Sequence, residues 1–188
     1  HTLSFMLDQE TEHAICEMAP LIKRISAERI EMELTRMLVD SLKPGDALQH
    51  LHRVGLLEHI LPEIIPMIGQ EQPPQFHPEG DVFEHTVLML NLMNAEPAEA
   101  SAYTPRELAY TVLLHDIGKP STARIGPGTD GKPRIRFDGH ADVSTKIAEV
   151  ILGRLKFPNK ERKHILDSIR GHMCFMDVQK MRASTLRK

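Results

Sequence analysis

Thr104-Pro105-Arg106-Glu107 carries two helix-start signals at once. Threonine followed three residues later by glutamate forms a capping box, and proline at the first helical position is preset for helical φ and gives up an amide that would have no partner there. Leu108, Val112 and Leu113 then run at helical spacing to His115-Asp116, and Gly118 stops the run. The same punctuation recurs along the chain, and it predicts a succession of short, firmly bounded helices.

Asp8 opens the first, with Glu10 and Glu12 in its first turn, Ile15, Met18, Ile22 and Ile25 as its apolar stripe, and a kink at Pro20. Ser26 caps a helix over 27–40 that turns Ile30, Leu34, Met37 and Leu38 inward and ends at Lys43-Pro44-Gly45. Asp46 starts a short helix carrying Leu48, Leu51 and Val54, Gly55 stops it, and a further apolar helix from Leu56 to Ile65 is broken by Pro62 and Pro66. Gln70 to Gly80 holds Pro73, Pro74 and Pro78 among polar residues and reads as a linker. Asp81-Val82-Phe83-Glu84 has capping-box spacing and opens a helix with Phe83, Val87, Leu90 and Met93 packed. His140 opens another, with Val143, Ile147, Val150, Ile151 and Leu155 inward, and Asn159 caps the last, which runs to Gly171-His172. The segments around Ala123-Arg124-Ile125 and Arg134-Ile135-Arg136-Phe137 pair as a short β-hairpin.

The expected fold is all-α with at most one short β-hairpin. A helical bundle over 1–70 is followed, across the proline-rich linker, by a second helical unit over 71–188. Composition agrees: only 4% of residues are aromatic and none is Trp, so Leu, Ile and Met must fill the core, which favours packed helices over a β-sandwich.

A net charge of −3 excludes a surface that is basic all round, so any nucleic-acid contact is local. Two distant cysteines, Cys16 and Cys174, make neither a disulfide framework nor a thiolate zinc site and fit a reduced, cytoplasmic setting. No apolar run reaches the length of a membrane span, and the amino end lacks a signal-peptide pattern. The chain opens at His1-Thr2-Leu3 without Met and reads as a piece of something longer.

His115 and Asp116 offer a nitrogen and a carboxylate donor to one small volume, and His85, His140 and His172 each stand near the start or end of a predicted helix. Four imidazoles and one carboxylate form a nitrogen-rich set suited to Mn, Fe, Co, Ni or Zn rather than Mg or Ca. An aspartate in such a set can serve one ion or bridge two, which activate water and neutralise a phosphate. Phosphoester hydrolysis is the chemistry implied, with Asp116 and Lys119 as catalytic candidates and Lys119 and Arg124 as phosphate or RNA contacts. Taken singly, most histidines are surface groups, caps or satisfied core residues, and His13, His50, His52, His59, His77 and His164 are given that ordinary reading.

His85, then His115-Asp116-Ile117-Gly118-Lys119-Pro120, Gly139-His140 and Gly171-His172 resemble the HD superfamily of metal-dependent phosphohydrolases in the form with extra histidines. Residues 81–188, including Phe137-Asp138-Gly139-His140 and Gly171-His172-Met173, resemble that domain as it occurs at the carboxyl end of bacterial tRNA nucleotidyltransferases (CCA-adding enzymes) and related poly(A) polymerases. Phe5 to Thr11, Ile25 to Leu34 and Gly55-Leu56-Leu57 through Leu61-Pro62-Glu63 resemble the helical neck and body of the same family.

The resemblance implies a tRNA-binding region over 1–70 and a phosphohydrolase domain over 71–188 acting as phosphatase, 2′-nucleotidase or 2′,3′-cyclic phosphodiesterase on RNA 3′ ends or nucleotides. Its metal ligands would be His85, His115, Asp116, His140 and His172, with one or two divalent transition metals as cofactor. The family's nucleotidyl-transfer head, which uses Mg, precedes the region matched here, so this stretch is not expected to add nucleotides. The superfamily's last aspartate ligand comes from a helix further on, and Asp177 is a poor substitute by position. Rival readings are a non-catalytic module that grips tRNA or forms a homodimer around a vestigial site, and a stand-alone nucleotide phosphohydrolase.

Overall fold

In a computed structural model, the structure describes residues 7–93, 103–128 and 131–175. His1, Thr2, Leu3, Phe5 and Asp177, named above, lie outside them. The described residues form nine α-helices in the order α1 (Gln9–Met18), α2 (Ala27–Asp40), α3 (Pro44–Arg53), α4 (Leu57–Ile60), α5 (Val82–Met93), α6 (Pro105–Leu114), α7 (Lys119–Thr122), α8 (His140–Arg154) and α9 (Asn159–Gly171). One antiparallel hairpin, β1 (Arg124–Pro127) and β2 (Pro133–Arg136), lies between α7 and α8 and pairs Ile125 with Ile135. The mostly helical fold with a single short hairpin is as expected.

Local chemistry sets the helix bounds. Asp8 accepts from the Glu10 and Thr11 amides to start α1, and the Ser26 hydroxyl accepts from Arg29 N to start α2. At α6 the box closes in both directions: Glu107 N donates to the Thr104 hydroxyl at 3.2 Å and Thr104 N to Glu107 Oε2 at 2.8 Å. At α5 only half of the expected box forms. Asp81 accepts from Glu84 N at 2.8 Å, whereas the Glu84 carboxylate turns outward and takes both its hydrogen bonds from Gln49 Nε2 on α3.

Other starts differ as well. The residues expected to end α2 instead begin α3, which starts at Pro44. Asn91 of α5 accepts from Gly45 N at 2.8 Å and donates to Asp46 at 2.7 Å, so a tertiary contact does the work of a local cap. Leu56–Ile65 divides into α4 and a 3-10 turn, Pro62–Met67, because Pro62 and Pro66 cannot donate within an α-helix. α1 ends at Met18 and passes into a second 3-10 turn, Ala19–Arg24. Its expected stripe is not covered by the described residues: Met18 is 60% exposed and Ile25 41%.

Elsewhere the stripes are buried. Leu34 and Leu38 of α2, Leu48 of α3, Val87 and Leu90 of α5, Leu113 and Leu114 of α6, Ile151 of α8 and Ile165 and Ile169 of α9 belong to one continuous apolar cluster. That cluster runs across the proline-rich stretch at 70–80. Helix α2 packs on α3 and α6, α3 on α5, and α6 on α5 and α9. Arg154 of α8 reaches back to Glu63 in a two-bonded pair of 2.6 and 2.8 Å. On α8, Val150 points outward at 64% exposure, against expectation, and the small residues Ser144, Thr145 and Ala148 take the inner face. Small side chains there leave room for the backbone around Gly118.

Glu107 joins this frame electrostatically. It is buried, accepts from Thr104 N and lies 2.8 Å from His164 Nδ1. Burial alone would raise its carboxyl, but the Thr104 amide and His164 hold it below its ordinary value of 4.5. A depressed folded pKa gives stability that is fully present above pH 4.5 and is lost as pH falls below it. Glu107→Gln should therefore unfold at lower denaturant concentration than wild type at neutral pH and should flatten the loss of stability below pH 4.5, as read by urea melts across pH. Leu38→Ala, at a fully buried site in the shared cluster, should cost about 2–5 kcal/mol and lower one cooperative transition rather than one of two.

Candidate metal centre

Asp116 stands at the end of α6 with its side chain 3% exposed. Its Oδ2 lies 3.1 Å from His115 Nε2, 3.8 Å from His85 Nε2 and 2.8 Å from Lys119 Nζ, and its Oδ1 lies 3.2 Å from His140 Nε2 and 3.7 Å from His172 Nε2. All five residues singled out as ligands thus converge. Their donor atoms fall into two triads that share the aspartate: His85, His115 and Asp116, then Asp116, His140 and His172.

Helix ends place each ring. His115 is the C-cap of α6 and His172 the C-cap of α9, and their Nδ1 atoms lie 2.8 Å from Val112 O and 2.6 Å from Ile169 O. The last carbonyls of a helix have spare accepting capacity, so a histidine at the cap can use one to fix its ring. His140 begins α8 after Gly139, whose φ of +78° is left-handed, and its Nδ1 lies 2.8 Å from Phe137 O. His85 Nδ1 lies 2.5 Å from Glu79 Oε1.

The tautomers follow from these partners. A carbonyl oxygen can only accept, so Nδ1 of His115, His140 and His172 must carry hydrogen and donate, which in the neutral ring leaves the lone pair on Nε2. All the Nε2 atoms face Asp116, and those of His140 and His172 are 3.1 Å apart. Asp116 Oδ1 is buried with no hydrogen-bond donor. Lone pairs confronting one another and a carboxylate repel, unless rings protonate or a cation lies among them. Burial would raise the Asp116 carboxyl, but His115, His140 and His172 hold it well below the ordinary carboxylate range, while burial lowers the His85 imidazole. An anionic oxygen ringed by imidazole nitrogens, each with its other nitrogen already bonded, has the donor set and the outer support of a transition-metal site.

Lys119, the catalytic and phosphate candidate, is 5% exposed, and its Nζ bonds Asp116 and Gln72 Oε1, the latter at 2.6 Å. Arg124 is not brought into the cluster. It lies exposed on β1 and pairs with Asp138. Two participants came from the stretch read as a linker. Gln72 is buried against Lys119, and Glu79 touches both His85 and His77, whose Nδ1 is 3.0 Å from the same oxygen. Proline density hid them, although a Glu six residues before a candidate ligand was a signal. Residues 71–81 and β2 also border a cleft of about 890 Å³.

These features define a mostly helical protein with a buried carboxylate–imidazole cluster whose residues could hold a metal ion. A family profile described as "Probable RNA and SrmB- binding site of polymerase A" matches residues 4–68. The chain is 33% identical over 178 residues to a CC-adding tRNA nucleotidyltransferase of Thermus thermophilus and 34% identical over 177 residues to an A-adding tRNA nucleotidyltransferase of Deinococcus radiodurans, covering 92% of this chain and 38% of each relative. A "Multifunctional CCA protein" of Alkalilimnicola ehrlichii is 32% identical over 162 residues, 86% of this chain and 36% of that protein. The chain belongs to the tRNA nucleotidyltransferase and poly(A) polymerase family, and it spans well under half the length of those relatives.

The close approach at Gly118 makes the centre testable without touching a ligand. A Cβ there would lie 2.6 Å from Ser144 N and 2.7 Å from His140 O, both backbone atoms of α8. Gly118→Ala must push the His115-Asp116 turn away from His140, and a loss of about 1–3 kcal/mol in chemical unfolding is expected. Wild-type stability in that variant would contradict the packing described.

Proposed function

We propose that this chain is the RNA-binding and phosphohydrolase part of a tRNA nucleotidyltransferase-type protein. Residues 1–70 form the helical neck and body that contact tRNA, and residues 71–188 form an HD-type domain acting on phosphoesters at RNA ends. The observation that carries the second half is the convergence of four Nε2 atoms on a buried Asp116 with an unpartnered Oδ1. The first half rests on the family profile over 4–68 and on relatives named for tRNA.

His85, His115, Asp116, His140 and His172 would hold one or two ions of Mn, Fe, Co, Ni or Zn, and such ions supply Lewis acidity and activate water for attack on phosphorus. The chain's own residues do the positioning. Asp116 presents one oxygen to each triad, so a single carboxylate serves both. The backbone carbonyls that hold Nδ1 of His115, His140 and His172 keep three rings from turning. Lys119 balances the Asp116 charge and adds positive potential where a phosphate would sit. Arg124, paired with Asp138 on the hairpin, would contact RNA away from the reacting phosphate. A 2′,3′-cyclic phosphate, a 2′-phosphate or a nucleotide monoester fits this chemistry.

Purified chain supplied with Mn²⁺ or Ni²⁺ should bind the ion by calorimetry and hydrolyse 2′,3′-cyclic AMP. The double variant His115→Ala with Asp116→Ala should lose both by at least 100-fold, given that removing ligands removes the site. Equal hydrolysis by wild type and the double variant would refute the assignment. Ion binding without hydrolysis would favour the tRNA-binding reading, which a shift of labelled tRNA by wild type and double variant alike would support.

A further inference from the structure

His85 differs from the other three rings in what holds it. His115, His140 and His172 each direct Nδ1 to a carbonyl three residues back in their own segment. His85 lies in the first turn of α5, where the free backbone groups are amides that donate. Its Nδ1 instead meets a carboxylate, Glu79 Oε1, at 2.5 Å, across the turn that joins the proline-rich stretch to α5.

We propose that Glu79 is the positioning residue that sets the His85 tautomer: by accepting the Nδ1 hydrogen it holds Nε2 unprotonated and aimed at Asp116. A carboxylate behind an imidazole also raises its basicity toward whatever Nε2 meets, which is the usual second layer of a histidine–metal site. The stretch at 70–80 is then a working wall of the centre, with Gln72 doing the same for Lys119. The same oxygen of Glu79 also meets His77, 3.0 Å away, and the two rings cross edge to face at 4.7 Å. His77, Glu79 and His85 fall within ligand distance of one another, but an ion there would have to displace the hydrogen that fixes His85, so the outer-support role is the simpler use of the geometry.

The first test needs no metal. In ¹⁵N-labelled, metal-free chain at pH 8, long-range ring correlations should show His85 protonated on Nδ1 in wild type and mixed or protonated on Nε2 in Glu79→Ala. The second test rests on the metal-centre reading. Mn²⁺ should bind Glu79→Ala about 10–100-fold more weakly than wild type, while His77→Ala, which removes the other partner of Glu79, stays within about threefold. An unchanged tautomer and affinity in Glu79→Ala would overturn the proposal. Equal weakening in both variants would also overturn it, by tracing the effect to loop packing, and loss of one whole ion from the stoichiometry would do so by making Glu79 a ligand. Where Glu79→Ala does not fold, Glu79→Leu decides, because it keeps the bulk without an acceptor; unweakened binding with an unmoved Nδ1 proton resonance refutes the role. If wild type binds no Mn²⁺, the metal-centre reading falls, while the tautomer measurement still decides what Glu79 does.

Discussion

A carboxylate almost wholly removed from water, Asp116, is the constraint to which the surrounding structure answers. An isolated buried anion would cost several kcal/mol, so it persists only where cationic and polarising groups surround it. Lys119 supplies a full charge at 2.8 Å, and the four Nε2 atoms that close the remaining directions favour the anion once a ring is protonated or a cation lies among them. To deliver them, α5 must bring its first turn, α6 and α9 their last residues and α8 its first to one point. The apolar cluster that fixes these four helices against one another is therefore also what fixes the five converging side chains.

Most of the helical frame could be read from the sequence because its signals are local. The box at Thr104 and Glu107 and the caps at Asp8 and Ser26 act within three residues, and the structure shows all of them. What could not be read depends on neighbours far along the chain. Pro44 begins α3 because Asn91, forty-six residues on, bonds Gly45, and Glu84 abandons its box because Gln49 is in reach. Val150 faces outward because α8 must present small residues to Gly118, a demand made by the packing partner and invisible in the apolar pattern of α8 itself.

The candidate centre divides in the same way. Its five candidate ligands were legible, since histidine at helix ends and an adjacent aspartate are features of composition and spacing, while Gln72 and Glu79 were hidden in a proline-rich stretch that resembled a connector. The prolines do resist regular structure there, as expected. An irregular segment is nonetheless free to turn individual side chains inward where a helix would present only one face.

That difference bears on how the two parts of the family's architecture relate. The 4–68 segment matched by the RNA-binding profile and the His–Asp centre share one apolar cluster, with Arg154 clamped on Glu63 and Arg106 of α6 paired with Glu31 of α2 at 2.9 Å and with Glu161 of α9 at 3.1 Å. Arg106 is the second residue of the helix that leads into His115-Asp116, and its guanidinium also lies 4.2 Å over the Phe157 ring. A helix held at its start by ion pairs to both neighbours and at its end by a buried carboxylate has little freedom to shift. The segment that carries the RNA-binding match is thus ion-paired to the start of the same helix that leads into the candidate centre.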